Sequence, residues 1–134
     1  MKVFFDTNVL VSAFAARGLC ADLLRRVLAE HQLVVGEVVL VELRRALRDK
    51  IRLPADTVKD IETLLRQGIV EPRPKHHLKL ALRDKDDEWI VASAVAAHAD
   101  VLVTGDKDLL QATKTPVPIV EPRGLWEMLR GSSP

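Results

Sequence analysis

The sequence predicts a three-layer α/β domain: a central, mostly parallel sheet with helices on both faces. Three observations predict it. Short apolar runs alternate with longer segments of helical period along the whole chain, and strands separated by helices call for right-handed crossovers and a sheet buried on both sides. Leu, Val, Ile and Phe number 45 of the 134 residues, enough for the core of one ordinary domain, in a chain too short for two. Two of the strand-like runs end at or just before an aspartate, Asp6 and Asp106, and open parallel sheets gather ligands outside the C-terminal ends of their strands. Residues 1–130 are expected to form this single domain, with 131–134 as a frayed tail.

Taken in order, Lys2–Phe5 is a buried strand stopped by the turn and cap residues Asp6, Thr7 and Asn8. Val9–Phe14 and Ala21–Ala29 have helical character, with Gly18 as punctuation between them. Leu33–Val35 is a second β-rich run ending at Gly36. Glu37–Lys50 reads as an amphipathic helix, with Val39, Leu43, Ala46 and Leu47 on its apolar stripe and Arg44, Arg45 and Arg48 on the far side. Pro54 opens the next helix, which runs to about Gln67 and stops at Gly68. Ile69-Val70 is a minor strand before Pro72 and Pro74. Asp86–His98 is apolar almost all round from Trp89 to Ala97, so it belongs inside the core. Val101–Val103 is a strand, Asp106–Ala112 a short helix, Val117–Val120 the final strand and Gly124–Leu129 the C-terminal helix.

Composition removes several function classes. The lone Cys20 excludes an internal disulfide and a Cys-rich zinc site, and suits a reducing cytosol. No apolar stretch approaches the roughly 20 residues of a membrane span, and Asp6 interrupts the N-terminal apolar run before it resembles a signal peptide. A soluble, cytoplasmic domain is expected. Twenty basic residues against nineteen acidic ones leave a net charge of +1, so bulk attraction to a polyanion is weak. The signs separate locally, however. Arg44 to Arg52 carries five bases and one acid, Arg73 to Arg83 four bases and no acid, and Asp84 to Glu88 four acids and one base. Each run alone reads as a solvated face; together they suit a protein that holds a polyanion near bound cations.

Four carboxylates carry the chemistry. Asp6 and Asp106 each follow a short strand and, if those strands are neighbours, land side by side. Asp87 lies three residues before Ile90 and seven before Ala94, on their apolar face, whereas Asp86 is the better cap. Glu42, three residues after Val39 and four before Ala46, sits at the edge of an apolar stripe, where a lone buried carboxylate would cost several kcal/mol. Read singly, the aspartates are turn or N-cap residues and Glu42 an edge residue reaching water or pairing with Arg45. Read together, four converging acids would raise one another's pKa unless a cation sat between them. Oxygen donors without Cys or a spaced His pair point to Mg²⁺ or Mn²⁺. His76-His77 are adjacent, and His31 and His98 isolated, so none reads as a ligand. No Gly-rich phosphate loop and no Gly-x-Ser-x-Gly elbow is present.

At these residues the chain resembles the PIN domain. The likeness rests on Asp6-Thr7-Asn8-Val9-Leu10, Val41-Glu42-Leu43, Asp87-Glu88-Trp89-Ile90-Val91-Ala92 and Val103-Thr104-Gly105-Asp106-Lys107-Asp108-Leu109-Leu110, closed by Pro122-Arg123-Gly124-Leu125-Trp126. It spans essentially the whole chain in order, and the short length is most similar to the VapC-like toxins of toxin–antitoxin pairs. The resemblance implies a three-layer α/β/α PIN-like fold and a metal-dependent ribonuclease. Asp6, Glu42, Asp87 and Asp106 would be its catalytic and metal-binding acids, with Asn8 and Thr104 in support. The doubled acids Asp86/Asp87 and Asp106/Asp108 leave the ligand register open by a residue or two. Gly36 stands where many relatives carry a hydroxyl residue. A type II toxin would act on RNA, pair with a small antitoxin and form a homodimer. The basic face of Glu37–Lys50, chiefly Arg44, Arg45 and Arg48, is expected to supply phosphate contacts. The alternatives are a PIN-type nuclease of RNA maturation or decay without an antitoxin, and a non-catalytic RNA-binding or scaffold domain of the same fold. A phosphotransfer enzyme fits less well, because the haloacid-dehalogenase pattern wants a second aspartate where Asn8 stands.

Overall fold

The structure is a computed structural model and describes residues 1–76, 79–80 and 82–131. His77 of the histidine pair and residues 132–134 of the expected tail lie outside the described residues. The elements run β1 (Lys2–Phe5), α1 (Thr7–Ala15), α2 (Leu19–Glu30), β2 (Gln32–Gly36), α3 (Glu37–Asp49), α4 (Ala55–Leu65), β3 (Ile69–Glu71), α5 (Lys85–Ala96), β4 (Val101–Val103), α6 (Lys107–Gln111), β5 (Ile119–Val120) and α7 (Pro122–Gly131).

Five strands form one sheet in the order β3-β2-β1-β4-β5, and every pairing is parallel. Such pairing requires crossovers, and their right-handedness puts the helices of β1–β2–β3 on one face and α5 on the other. Phe4, Phe5, Val34, Val35, Leu102 and Val103 are fully buried, as strands covered on both sides must be. α5 shows the same confinement: Ile90, Val91, Ala92, Ser93 and Ala94 are all buried. No single helix among the described residues is long and apolar enough to cross a membrane.

The differences from the sequence expectation lie at element ends. α7 starts at Pro122 rather than Gly124 and continues through Gly131, because proline's fixed φ suits a first helical turn. The final strand keeps only Ile119–Val120. The cap of α5 is Asp84, whose carboxylate accepts from the Asp86 N–H, and Asp86 is left exposed within the first turn. Two glycines are fixed by space or backbone. Gly18 caps α2 with φ 148°, a conformation open to glycine. At Gly36 a Cβ would stand 3.0 Å from the Phe4 ring and 3.3 Å from the Ser93 Cβ, so a side chain there would press on both neighbours.

Candidate active site

Strand register builds the site. β1 and β4 are neighbours with Phe5 opposite Val103, so the next residues, Asp6 and Thr104, emerge together at the carboxyl end of the sheet. The chain order reverses there: β2 and β3 extend the sheet on one side of β1, β4 and β5 on the other. That reversal is where open α/β sheets form a crevice. A cleft of about 430 Å³ opens at this point, lined by Asp6, Asn8, Glu42, Lys50, Asp87 and Asp106 together with Thr7, Val11, Ser12 and Ala46.

Each acid comes from a different element. Asp6 is the N-cap of α1 and is buried; it accepts from the Thr7 N–H at 2.7 Å, the Thr104 hydroxyl at 2.7 Å and the Asn8 amide at 3.3 Å. Asp106 caps α6 through the Asp108 N–H. Its own N–H donates to the Thr104 oxygen at 3.0 Å, so one buried hydroxyl joins the loops carrying both aspartates. Asn8 also accepts from the Gly105 N–H at 3.1 Å, a second tie between those loops. Glu42 projects from α3 and accepts from the Thr7 hydroxyl at 2.8 Å. Asp87, in the first turn of α5, is buried as its apolar register predicts.

The electrostatics follow from this crowding. Burial raises the Asp6 pKa, and the Asp106 charge adds to it, against the opposing hydrogen bonds from Thr104, Thr7 and Asn8. Burial likewise raises Glu42, opposed by the Thr7 hydroxyl and helped by the charge of Asp6. Asp87 is pushed up to about 7, first by burial and then by the charges of Asp106, Asp6, Asp84 and Glu42. Four carboxylates from remote parts of the chain therefore share one field, in which ionised acids are costly without a cation.

A family model for the PIN domain matches residues 2–108. The chain belongs to the PIN domain family. In fold this PIN domain is similar to the crystal structure of VapBC2 from Rickettsia felis bound to a DNA fragment from their promoter, with a TM-score of 0.67 and 14% identity over 90% of this chain and 98% of that one. Among curated protein sequences nothing matches. PIN domains are in general nucleases that use divalent metal ions.

Within this PIN domain the doubled acids separate. Asp87 and Asp106 line the cleft. Asp86 is exposed, and Asp108 lines a different hollow with Leu80, Leu82 and Arg83. The donors on the cleft are carboxylate, amide and hydroxyl oxygens, the set that suits a hard divalent cation. Among the described residues no three His, Cys, Asp or Glu side chains form a group already disposed to hold a metal ion.

The arginines lie elsewhere. Arg44 and Arg48 line a separate groove of about 470 Å³ between α3 and α4; they lie two and six residues after Glu42, so both point well away from it round the helix. Arg44 holds Glu62 in a bidentate pair, at 2.9 and 3.0 Å, and Arg48 holds Asp49. Arg45 is exposed. Sequence reasoning missed three polar cleft-lining residues, Thr7, Ser12 and Lys50. Helical spacing could have found two of them, since Ser12 lies four residues after Asn8, and Lys50 eight after Glu42.

Proposed function

We propose that the protein is a divalent-metal-dependent endoribonuclease, the toxin of a type II toxin–antitoxin pair, working in the cytoplasm as a homodimer with a small antitoxin partner. The observation that carries the reading is the convergence of Asp6, Glu42, Asp87 and Asp106, from four separate elements, on one cleft at the sheet's reversal point in a chain of the PIN family. The length and fold shared with a VapBC2 structure support the toxin assignment.

Mg²⁺ or Mn²⁺ would supply charge neutralisation at the phosphodiester and acidify a water for attack. The residues divide the remaining work. Asp6 is held in one rotamer by the Thr104 and Thr7 donors, which makes it the fixed ligand of the set. Asp87 and Asp106 flank it as further ligands. Thr7 occupies Glu42 Oε2 and leaves the other carboxylate oxygen to hold a second ion or to take a proton from water. Arg44 and Arg48 line the groove between α3 and α4 rather than the acidic cleft, so their phosphate contacts fall on strand that has already crossed α3, while the exposed Arg45 stays on Glu42's side of the helix.

The test is cleavage of a mixed RNA pool with Mg²⁺ or Mn²⁺, with chelator, and with Asp6→Asn. Metal-dependent cutting that disappears in both controls is expected. Cutting that persists in chelator, or in Asp6→Asn, overturns the reading. Growth arrest on expression, relieved by co-expressing a small neighbouring reading frame, would distinguish a toxin from a solitary RNA-processing nuclease.

A further inference from the structure

We infer that Lys50 is the substrate-positioning residue of this cleft, gripping a backbone phosphate beside the one that is cut; the inference rests on the nuclease reading. Lys50 is the sole basic residue among those lining the acid-walled cleft. Among the described residues its ammonium makes no salt bridge, whereas Arg44, Arg48 and Arg66 are each committed to an acid. Glu42, Ala46 and Lys50 recur at four-residue spacing, so they share one stripe of α3 and its C-terminal cap. Eight residues at a rise of 1.5 Å put the Lys50 backbone about 12 Å along the helix from Glu42. Side chains on a helix lean toward its N-terminus, so the lysine stem points back over Ala46, whose methyl leaves that path open. Lys50 thus lines the same cleft as the acids, with its backbone displaced along α3 from Glu42.

That position answers a physical difficulty. A phosphodiester strand approaching four carboxylates meets repulsion on every side except where a cation stands. A divalent ion among the acids would meet the reacting phosphate, and Lys50 meets its neighbour with a compact, mobile charge suited to any sequence. The lysine has no comparable structural duty. The helix end is closed by its backbone N–H to the Ala46 carbonyl, a bond that any side chain permits.

The experiment uses the full chain. Binding of a short single-stranded RNA is measured for Asp6→Asn and for Asp6→Asn/Lys50→Ala across a salt series, with Arg130→Ala in the same background as a charge control at an exposed position of α7. Steady-state kinetics on the same RNA compare wild type, Lys50→Ala and Lys50→Arg. Loss of Lys50 should weaken binding on the order of fivefold and reduce the salt slope by about 0.7, the value for one single-strand phosphate contact. KM should rise more than kcat falls, Lys50→Arg should restore most of the loss, and Arg130→Ala should match its parent. An unchanged salt slope and KM in an enzyme that still cuts RNA overturns the role of Lys50 alone. So does a lower melting temperature with unchanged RNA affinity, which would make Lys50 a partner of the helix dipole. Failure of Asp6→Asn to bind RNA, with no cutting by wild type, overturns the nuclease reading and this inference with it.

Discussion

Thr104 carries no charge, yet it joins the two aspartates that strand register brings together. Its hydroxyl donates to Asp6 and accepts from the Asp106 N–H, and the residue is fully buried. Thr104→Val keeps the shape and removes both bonds, leaving a carboxylate and an amide short of a partner. A loss of about 1–3 kcal/mol in urea unfolding is expected, together with a further rise in the Asp6 pKa, since that bond lowers it. Asp87 should behave in the opposite sense. Its carboxyl titrates near 3.8 when unfolded and at about 7 in the fold, so between those values the folded chain holds a proton that the unfolded chain has released. Stability therefore falls as pH rises through that window and stays reduced above it. Asp87→Asn removes the titration. In chelator at pH 8 the variant should be the more stable, by on the order of 1 kcal/mol once solvent screening in the open cleft is allowed for. The gain should shrink toward pH 4. Melting curves at the two pH values decide it, because a structural aspartate would give a variant that melts lower at both.

At the scale of elements, α3 shows what a sequence discloses and what it withholds. The stripe of Val39, Leu43 and Leu47 is legible from spacing alone, and so is the inward aim of Asp87 along the apolar face of α5. The strand-ending positions of Asp6 and Asp106 are equally local, and parallel topology does the rest. What stayed hidden depends on pairs far apart in the chain. The Arg44–Glu62 pair exists because α4 folds back on α3, and nothing around Arg44 announces it, so the arginine run looked free for phosphate. Glu88 is buried and its carboxylate accepts from the Leu80 N–H at 2.6 Å, a tie whose partner lies in a loop without periodicity. Gly36 was visible as a departure from relatives, but its reason is the Phe4 ring from β1 and Ser93 from α5. Gly36→Ala should accordingly destabilise by about 1–3 kcal/mol, the usual cost of overpacking a close-packed interior. A thermal or urea melt checks it. A neutral result would mean that β2 and the Phe4 ring can separate without loss.

Over the whole molecule, the acidic cleft is a cost that the core must offset. Asp6, Glu42 and Asp87 all have raised pKa values, so ionising the site at neutral pH works against folding, while the sheet and its covering helices work for it. Any cation that binds the folded cleft and not the unfolded chain must stabilise the protein by mass action, by about 2.7 kcal/mol at a hundredfold excess over its Kd. For a chain of this size that corresponds to a melting temperature higher by roughly 10 °C. Binding also has to displace the protons that burial favours, so affinity should be weaker at pH 6 than at pH 8 and protons should be released on binding. The measurement is a set of thermal melts with Mn²⁺ or chelator at both pH values, for wild type and Asp87→Asn. Wild type should gain more from Mn²⁺ at pH 8 than at pH 6, and the variant should gain little at either. A Mn²⁺ response of equal size at both pH values, retained in the variant, would mean that the ion is held away from Asp87 and its neighbours. The raised carboxyls would then be a stability cost with no metal to relieve it, and the metal-dependent mechanism would lose its physical basis at this cleft.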